Sequence, residues 1–276
     1  MAKTLEGKVA IVTGSGRRKG LGEGILKAFA EEGAKLVVTD LGTPAEHMEA
    51  GDIGTTSEME EIAEDLRGLG AEVLTVAADI RDDAQVQKLI NKTVEHFGKL
   101  DILVNNAGIG YIMKPMFELA ADEWDAVLDV NLKGAFLCSK YAAMAMKDMG
   151  GRIINIASQA AKTGFPHMAP YTASKHGMVG LTRSNAVELG GFGITVNAVC
   201  PNHVTTGLGA KQNDYFSKLL GFDSVDDYLA NMKRSNPMGR PGLASDTAAA
   251  CVFLASEAAN YITGEALNVS GGEEVH

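Results

Sequence analysis

The stretch from Val9 to Ala30 limits the possible folds of this chain more than any other. Val9-Ala-Ile-Val-Thr13 is a short apolar run, consistent with a strand buried on both faces. It breaks at Gly14-Ser-Gly-Arg-Arg-Lys-Gly-Leu-Gly22, and apolar residues then recur at helical spacing through Ile25, Leu26, Phe29 and Ala30. Strand, glycine-rich turn and helix in that order set backbone N–H groups at a helix start, and the missing side chains let a pyrophosphate come close. The same order also serves as a plain tight connection with no ligand.

The remaining strand signals follow with helices between them. Lys35-Leu-Val-Val-Thr39 is a second strand ended by Asp40. A carboxylate there, about 20 residues past the glycine turn, is placed to bind the ribose hydroxyls of an adenosine and to repel a 2′-phosphate, which favours NAD over NADP. Arg17 and Arg18 carry the opposite implication, because a guanidinium in this turn pairs with phosphate; solvent or the pyrophosphate would satisfy them equally. Residues 41–56 form a polar insertion longer than a median loop, which either borders the adenosine end of a cofactor or is a plain surface loop. Ser57-Glu-Met-Glu60 has capping-box spacing and starts a helix.

Val73–Ala77 is the third strand, ending at Asp79-Ile80, and a helix follows with Val86, Leu89, Ile90, Val94 and Phe97 on one face. Ile102-Leu-Val is the fourth strand and delivers Asn105-Asn-Ala-Gly108. A long helical stretch from about Asp122 to Met149 carries Trp124, Val127, Leu128, Leu132, Phe136 and Leu137, a stripe that suits a core helix and a subunit interface alike. Asn131 lies inside it, and asparagine is a poor helix former unless its side chain has a task. Ile153-Ile-Asn-Ile-Ala-Ser158 reads as a strand ending in a serine.

Tyr171 and Lys175 stand four residues apart, one above the other on a helix face. A free tyrosine has a pKa of about 10; an ammonium held close favours the phenolate, lowers that pKa and makes the hydroxyl a usable acid or base. The same pair also decorates many solvated helices. Thr195–Cys200 is the sixth strand, leading into Pro201-Asn-His-Val204, and no strand pattern appears from Gly207 to Pro241. Ala244–Ser256 is a helix and Ala266–Val269 the last strand. Alternating strands and helices imply an α/β chain: a Rossmann-like, doubly wound parallel sheet in three α/β/α layers, as a single domain over residues 1–276.

Composition narrows the partners. A hydrophobic fraction of 46% with 22% charged residues is that of an ordinary soluble protein. A formal net charge of −10 offers no long-range attraction to nucleic acid or an anionic membrane. Cys138, Cys200 and Cys251 leave an odd thiol under any pairing and show no metal-ligand spacing, so reduced thiols and no metal are expected. Met1 to Lys8 leads directly into the first strand without a signal-peptide pattern, and no apolar run reaches the roughly 18 residues that span a bilayer. A soluble, cytoplasmic protein is expected.

The glycine turn, Asn105-Asn-Ala-Gly108, Asn131-Leu-Lys-Gly134, Ser158 and Tyr171-Thr-Ala-Ser-Lys175, in this order, resemble the short-chain dehydrogenase/reductase family from about Gly7 to Gly272. The resemblance implies that Ser158, Tyr171, Lys175 and Asn131 are catalytic. Ser158 would orient the substrate oxygen, Tyr171 would exchange the proton, and Lys175 would hold the nicotinamide ribose. Asn131 would stabilise a helix distortion and hold a water linking the lysine to solvent. The cofactor would run along Gly14, Gly20, Leu21, Gly22, Asp40, Asp79 (at the adenine), Ile80, Asn106, Ala107, Gly108, Pro201, Val204 and Thr206. Substrate contacts would come from Ser158, Gln159, His167 and Asn202 under a lid at about 202–243. His167 also fits a solvated loop position, and the lid helices fit an added surface layer.

Two departures stand out. The glycine turn is two residues longer than the family's Thr-Gly-x-x-x-Gly-x-Gly, and Asn202 replaces the glycine that usually follows Pro201. Asparagine tolerates a left-handed backbone, so that turn survives, with a side chain reaching toward the nicotinamide. The family further implies a homotetramer or homodimer, and the last residues resemble the tails of polyol and sugar-alcohol dehydrogenases. The expected activity is NAD-dependent interconversion of a secondary alcohol and its ketone. The alternatives are an NADPH-dependent 3-oxoacyl reductase, which Asp40 opposes, and an NAD(H)-sensing binding protein, which would not need the four catalytic residues.

Overall fold

A computed structural model describes residues 3–43, 53–110, 112–204 and 206–276, with residues 207–211 described by their backbone alone. Seven parallel strands form one sheet in the order β3-β2-β1-β4-β5-β6-β7. They are β1 Val9–Thr13, β2 Lys35–Asp40, β3 Val73–Ala77, β4 Ile102–Asn105, β5 Gly151–Ile156, β6 Ile194–Pro201 and β7 Ala266–Val269. The order reverses between β1 and β4, which opens a crevice beyond the C-terminal strand ends where ligands of such sheets bind.

The central strands are short apolar runs because both faces are covered, while the edge strands β3 and β7 are only partly buried. Ala10 and Val12 join a cluster with Ile25, Leu26 and Phe29 of α1 (Leu21–Glu31), Ile62 and Leu66 of α2 (Thr56–Gly68), and Cys251 and Leu254 of α9 (Ala244–Ala255). Their neighbours Val9 and Ile11 face the other way, toward Leu89 and Ile90 of α3 (Asp83–Phe97) and Leu137, Cys138 and Tyr141 of α5 (Gly134–Met146). Alternate residues of one strand thus feed two cores, as the pleat requires. The remaining helices are α4 (Ala121–Leu128), α6 (Ala169–Leu189), α7 (Gly207–Leu219) and α8 (Val225–Ser235). All three cysteines are buried and free, and burial pushes the Cys138 and Cys251 thiols up to about 12. Among the described residues no helix is long and apolar enough to cross a membrane.

Several local expectations need correction. Helix α2 is capped by Thr55, whose hydroxyl accepts from the Glu58 amide at 3.2 Å, two residues before the expected Ser57. Thr55 wins because its backbone is tied by a bridge to Gly42, which fixes where the chain enters the helix. β5 stops at Ile156, so Ser158 caps a short 3-10 turn (Gln159–Ala161) rather than ending the strand. The stretch expected as one helix from Asp122 to Met149 runs from Ala121 to Met146 and widens into a π-helical segment over Asp129–Lys133. Asn202 has no left-handed backbone; among the described residues the non-glycine residues with positive φ are Lys19 (55°) and His167 (63°). Of the insertion at 41–56, residues 44–52 lie outside the described residues.

Candidate active site

The turns after all the central strands open on one cavity of about 440 Å³. That size lies within the range of small-molecule sites. Gly14, Gly20 and Leu21 line it from the first turn, Asp40 from β2, Asp79 and Ile80 from β3, and Asn106, Ala107 and Gly108 from β4. Ser158, Gln159, Tyr171, Lys175, Pro201, Asn202, Val204 and Thr206 complete the set of expected residues on its wall. Gly22 does not line it: a Cβ there would lie 2.7 Å from the Ser15 Cα, so this glycine lets helix and strand pack. His167 does not line it either. Its Nδ1 lies 2.7 Å from the Tyr215 hydroxyl of α7, which ties the ring to the helical layer.

The glycine turn holds its shape through close approaches and carboxylates. Gly14 has φ +63°, and a Cβ on it would lie 2.6 Å from the Ala107 Cα. The two extra residues form a bulge at Arg17–Lys19, with the Arg18 amide donating to Glu58 and the Lys19 amide to Glu23, both at 2.6 Å. Arg18 is drawn away from the cavity: its guanidinium meets Glu23 at 3.1 Å and Asp65 at 2.5 Å. Arg17 lines the cavity, and its charge holds the Asp40 carboxylate partly in check. The two arginines, equivalent in the sequence, therefore have different surroundings.

Asp40 is pushed up by burial, against hydrogen bonds from the backbone amides of Leu41, Gly54 and Gly16. The Gly16 amide donates to one carboxylate oxygen at 3.1 Å and the Leu41 amide to the other at 2.9 Å. Three amides on four lone-pair sites leave one for a ribose hydroxyl. Burial also raises the Asp79 carboxyl, but the Arg81 guanidinium, gripping it at 2.6–3.0 Å, lowers it overall. Asp79 therefore faces an arginine before it faces an adenine. Ile53, from the insertion, lines the same end of the cavity.

At the other end, the Lys175 ammonium is buried, donates to the Ile156 carbonyl at 2.7 Å and sits 5.6 Å from the Tyr171 ring centroid. A Cβ on Gly110 would lie 2.9 Å from that ring, so only glycine lets it lie where it does. Burial is the largest influence on both groups. It pushes the phenol up, opposed by a hydrogen bond from Ser158, and brings the lysine down to about 8. The expected lowering of the tyrosine by the lysine is thus corrected: the ammonium is turned to a carbonyl, and desolvation of the phenolate dominates.

Asn131 is fully buried, and its amide oxygen accepts from the Ile109 amide at 2.8 Å. Its amide nitrogen donates to the Ile109 carbonyl and to the Ser174 hydroxyl, both at 3.0 Å. Ser174 in turn donates to the Tyr171 carbonyl at 2.7 Å. The widened helical turn brings Asn131 to these partners, which use both N–H groups of its side chain.

Sequence reasoning missed several wall residues: Arg81, Phe165, Phe216, Tyr228, Met232, His203 and Glu273. No periodicity or motif marks them, because they converge only when segments remote in sequence fold around the crevice.

A family model described as enoyl-(acyl carrier protein) reductase matches residues 14–274. The chain is 36% identical to the 3-oxoacyl-(acyl-carrier-protein) reductase of Staphylococcus aureus, over 96% of this chain and 97% of that one. It is 34% identical to levodione reductase of Leifsonia aquatica, over 96% and 94%. The solved structure of carveol dehydrogenase from Mycobacterium avium in complex with NAD superposes with a TM-score of 0.91, at 31% identity and covering 98% of both chains. With the parallel sheet, the glycine turn and these matches along nearly its whole length, the chain belongs to the short-chain dehydrogenase/reductase family.

Proposed function

We propose that this oxidoreductase interconverts a secondary alcohol (a polyol, sugar alcohol or similar small alcohol) and its ketone, using NAD. The observation that carries the reading is the convergence of Ser158, Tyr171 and Lys175 on one cavity wall. The family's coenzyme, when bound, supplies the hydride acceptor or donor.

The residues present fit that coenzyme. Gly14 and Gly20 leave its path free of Cβ atoms, the start of α1 offers unpaired amides to a pyrophosphate, and Asp40 is held at the end of β2. A fixed carboxylate at the adenosine end favours free ribose hydroxyls over a 2′-phosphate, and the turning of Arg18 toward Glu23 and Asp65 removes one competing cation. That supports NAD.

In ketone reduction, Ser158 donates a hydrogen bond to the carbonyl oxygen, and the Tyr171 hydroxyl gives its proton as charge develops there. In oxidation the proton moves the other way. A lysine brought down to about 8 can gain or lose a proton near neutrality, which suits Lys175 to recharge the tyrosine. Asn131 has a positioning role, through Ser174 to the Tyr171 backbone. The segment at about 202–243, built of α7 and α8, serves as the lid: Phe216, Leu220 and Tyr228 on it face the cavity. Leu128, Leu132, Phe136 and Leu181 form an open apolar groove between α4, α5 and α6 that suits assembly as a homodimer or homotetramer. Sedimentation of the purified chain tests that assembly.

The relative from Staphylococcus aureus favours a second reading, an NADPH-dependent 3-oxoacyl reductase. Both are tested by following reduced-nicotinamide absorbance with NAD and NADP across secondary alcohols, and with NADH and NADPH against ketones and a 3-oxoacyl thioester. Turnover of alcohols with NAD, abolished in Tyr171→Phe, is expected. NADPH-dependent thioester reduction alone would select the second reading, and binding of NAD without turnover of any compound would select a sensor.

A further inference from the structure

The chain after β7 turns sharply at Ser270-Gly271-Gly272, with φ of +63° and +87° at the two glycines. A Cβ on Gly271 would lie 2.7 Å from the Asn236 amide oxygen, so the turn is packed against the end of α8. It delivers Glu273 to the cavity wall. One oxygen of that carboxylate accepts from the Asn202 amide nitrogen at 2.8 Å and, more distantly, from Asn236 at 3.4 Å. The other meets only the Gln159 amide nitrogen, at 3.4 Å, too long for a good hydrogen bond. Asn202 is itself anchored to the Ser270 carbonyl at 3.1 Å. Glu273 is exposed, so the carboxylate is held from one side and open to solvent or a ligand on the other, beside the residue that directly follows Ser158.

Two further groups border it. The His203 Nε2 is buried with no hydrogen-bond partner among the described residues, and His203 lines the cavity. Tyr228 of α8 also lines it, and the Glu273 charge acts on both side chains. Phe165, Met168, Phe216, Leu220 and Met232 add apolar surface to the same cavity.

We infer that Glu273, with His203 and Tyr228, forms a subsite for a second hydroxyl of the substrate, so that the enzyme prefers diols and hydroxyketones over alcohols with a single oxygen. The inference rests on the alcohol dehydrogenase reading above and specifies its substrate class. A hydroxyl can donate to the free Glu273 oxygen and also exchange a hydrogen bond with a neutral imidazole or phenol. An ammonium would pair with the Glu273 carboxylate as well, so an amino alcohol is the competitor that the test includes. A plain alkyl group would bury the His203 nitrogen and the carboxylate edge without partners, a cost that a hydrogen-bonding substrate avoids.

The test compares kcat/KM for trans-1,2-cyclohexanediol, trans-2-aminocyclohexanol and cyclohexanol, in the native chain and in Glu273→Gln and His203→Phe. The native chain should favour the diol over cyclohexanol by tenfold or more, and each variant should reduce that ratio by about tenfold. Equal activity on diol and cyclohexanol, a preference for the amino alcohol, or a ratio unaltered by Glu273→Gln would overturn the inference. A parallel measurement needs no turnover: thermal stabilisation of the protein with NADH by diol against cyclohexanol. A diol-selective shift lost in Glu273→Gln supports the subsite even where no alcohol is oxidised, an outcome that would refute the dehydrogenase reading alone.

Discussion

The backbone of Gly54 crosses that of Gly16 so closely that a Cβ on Gly54 would lie 2.3 Å from the Gly16 carbonyl carbon. Asp40 clasps the crossing, since its carboxylate accepts from the amides of both glycines. The far end of the 41–56 insertion thus closes over the glycine turn instead of standing free in solvent.

Gly54→Ala should therefore lower the stability of the protein by about 1–3 kcal/mol, as overpacking does, and weaken NAD binding with it. Gly68→Ala, at the end of α2 with no atom within 4 Å of the added carbon, is the control and should be neutral or slightly stabilising. Urea unfolding and a fluorescence titration with NADH read both effects. A Gly54→Ala protein as stable as the control would show that the crossing bears no strain.

Lys175 links stability to pH. Its pKa falls from 10.5 to about 8 in the folded chain, so between those values the unfolded state binds more protons and stability rises with pH. Below about 8 both states carry the proton, and the full cost of the buried charge is felt. The stability of the native chain relative to Lys175→Met should improve by about 1 kcal/mol from pH 8 to pH 9, and the comparison cancels contributions from the thiols. A difference that is flat across this range would show that Lys175 keeps an ordinary pKa.

Asn131→Ala strips partners from the Ile109 amide and carbonyl and from Ser174, all in the interior. A loss of about 2–4 kcal/mol is expected from groups left unpaired. Since Ser174 also bonds the Tyr171 carbonyl, kcat should fall more than KM rises. An unchanged kcat in a folded variant would separate Asn131 from the tyrosine.

Asp40→Asn keeps an acceptor oxygen but removes the charge. The ratio of kcat/KM with NADP to that with NAD should rise about tenfold. Arg18→Ala should leave that ratio in place, because Arg18 is engaged by Glu23 and Asp65 away from the cavity. An effect of Arg18 larger than that of Asp40 would reverse this assignment.

Sequence patterning was enough to determine the sheet. Runs such as Val9–Thr13 are apolar and β-branched because the strand is buried on both faces, and the half-buried edge strand Val73–Ala77 keeps enough of that pattern for its bounds to follow from local chemistry. The order of the motifs likewise determined which turns meet at the crevice, since parallel strands place all their C-terminal ends on one side. Tertiary structure decided the rest. Only packing separates Arg17 from Arg18, turns His167 to Tyr215, gives Asn131 its Ile109 and Ser174 partners, and brings Glu273 beside Gln159 across 114 residues of chain. Those relationships depend on distance and desolvation between remote segments, and neither is a property of local residue order.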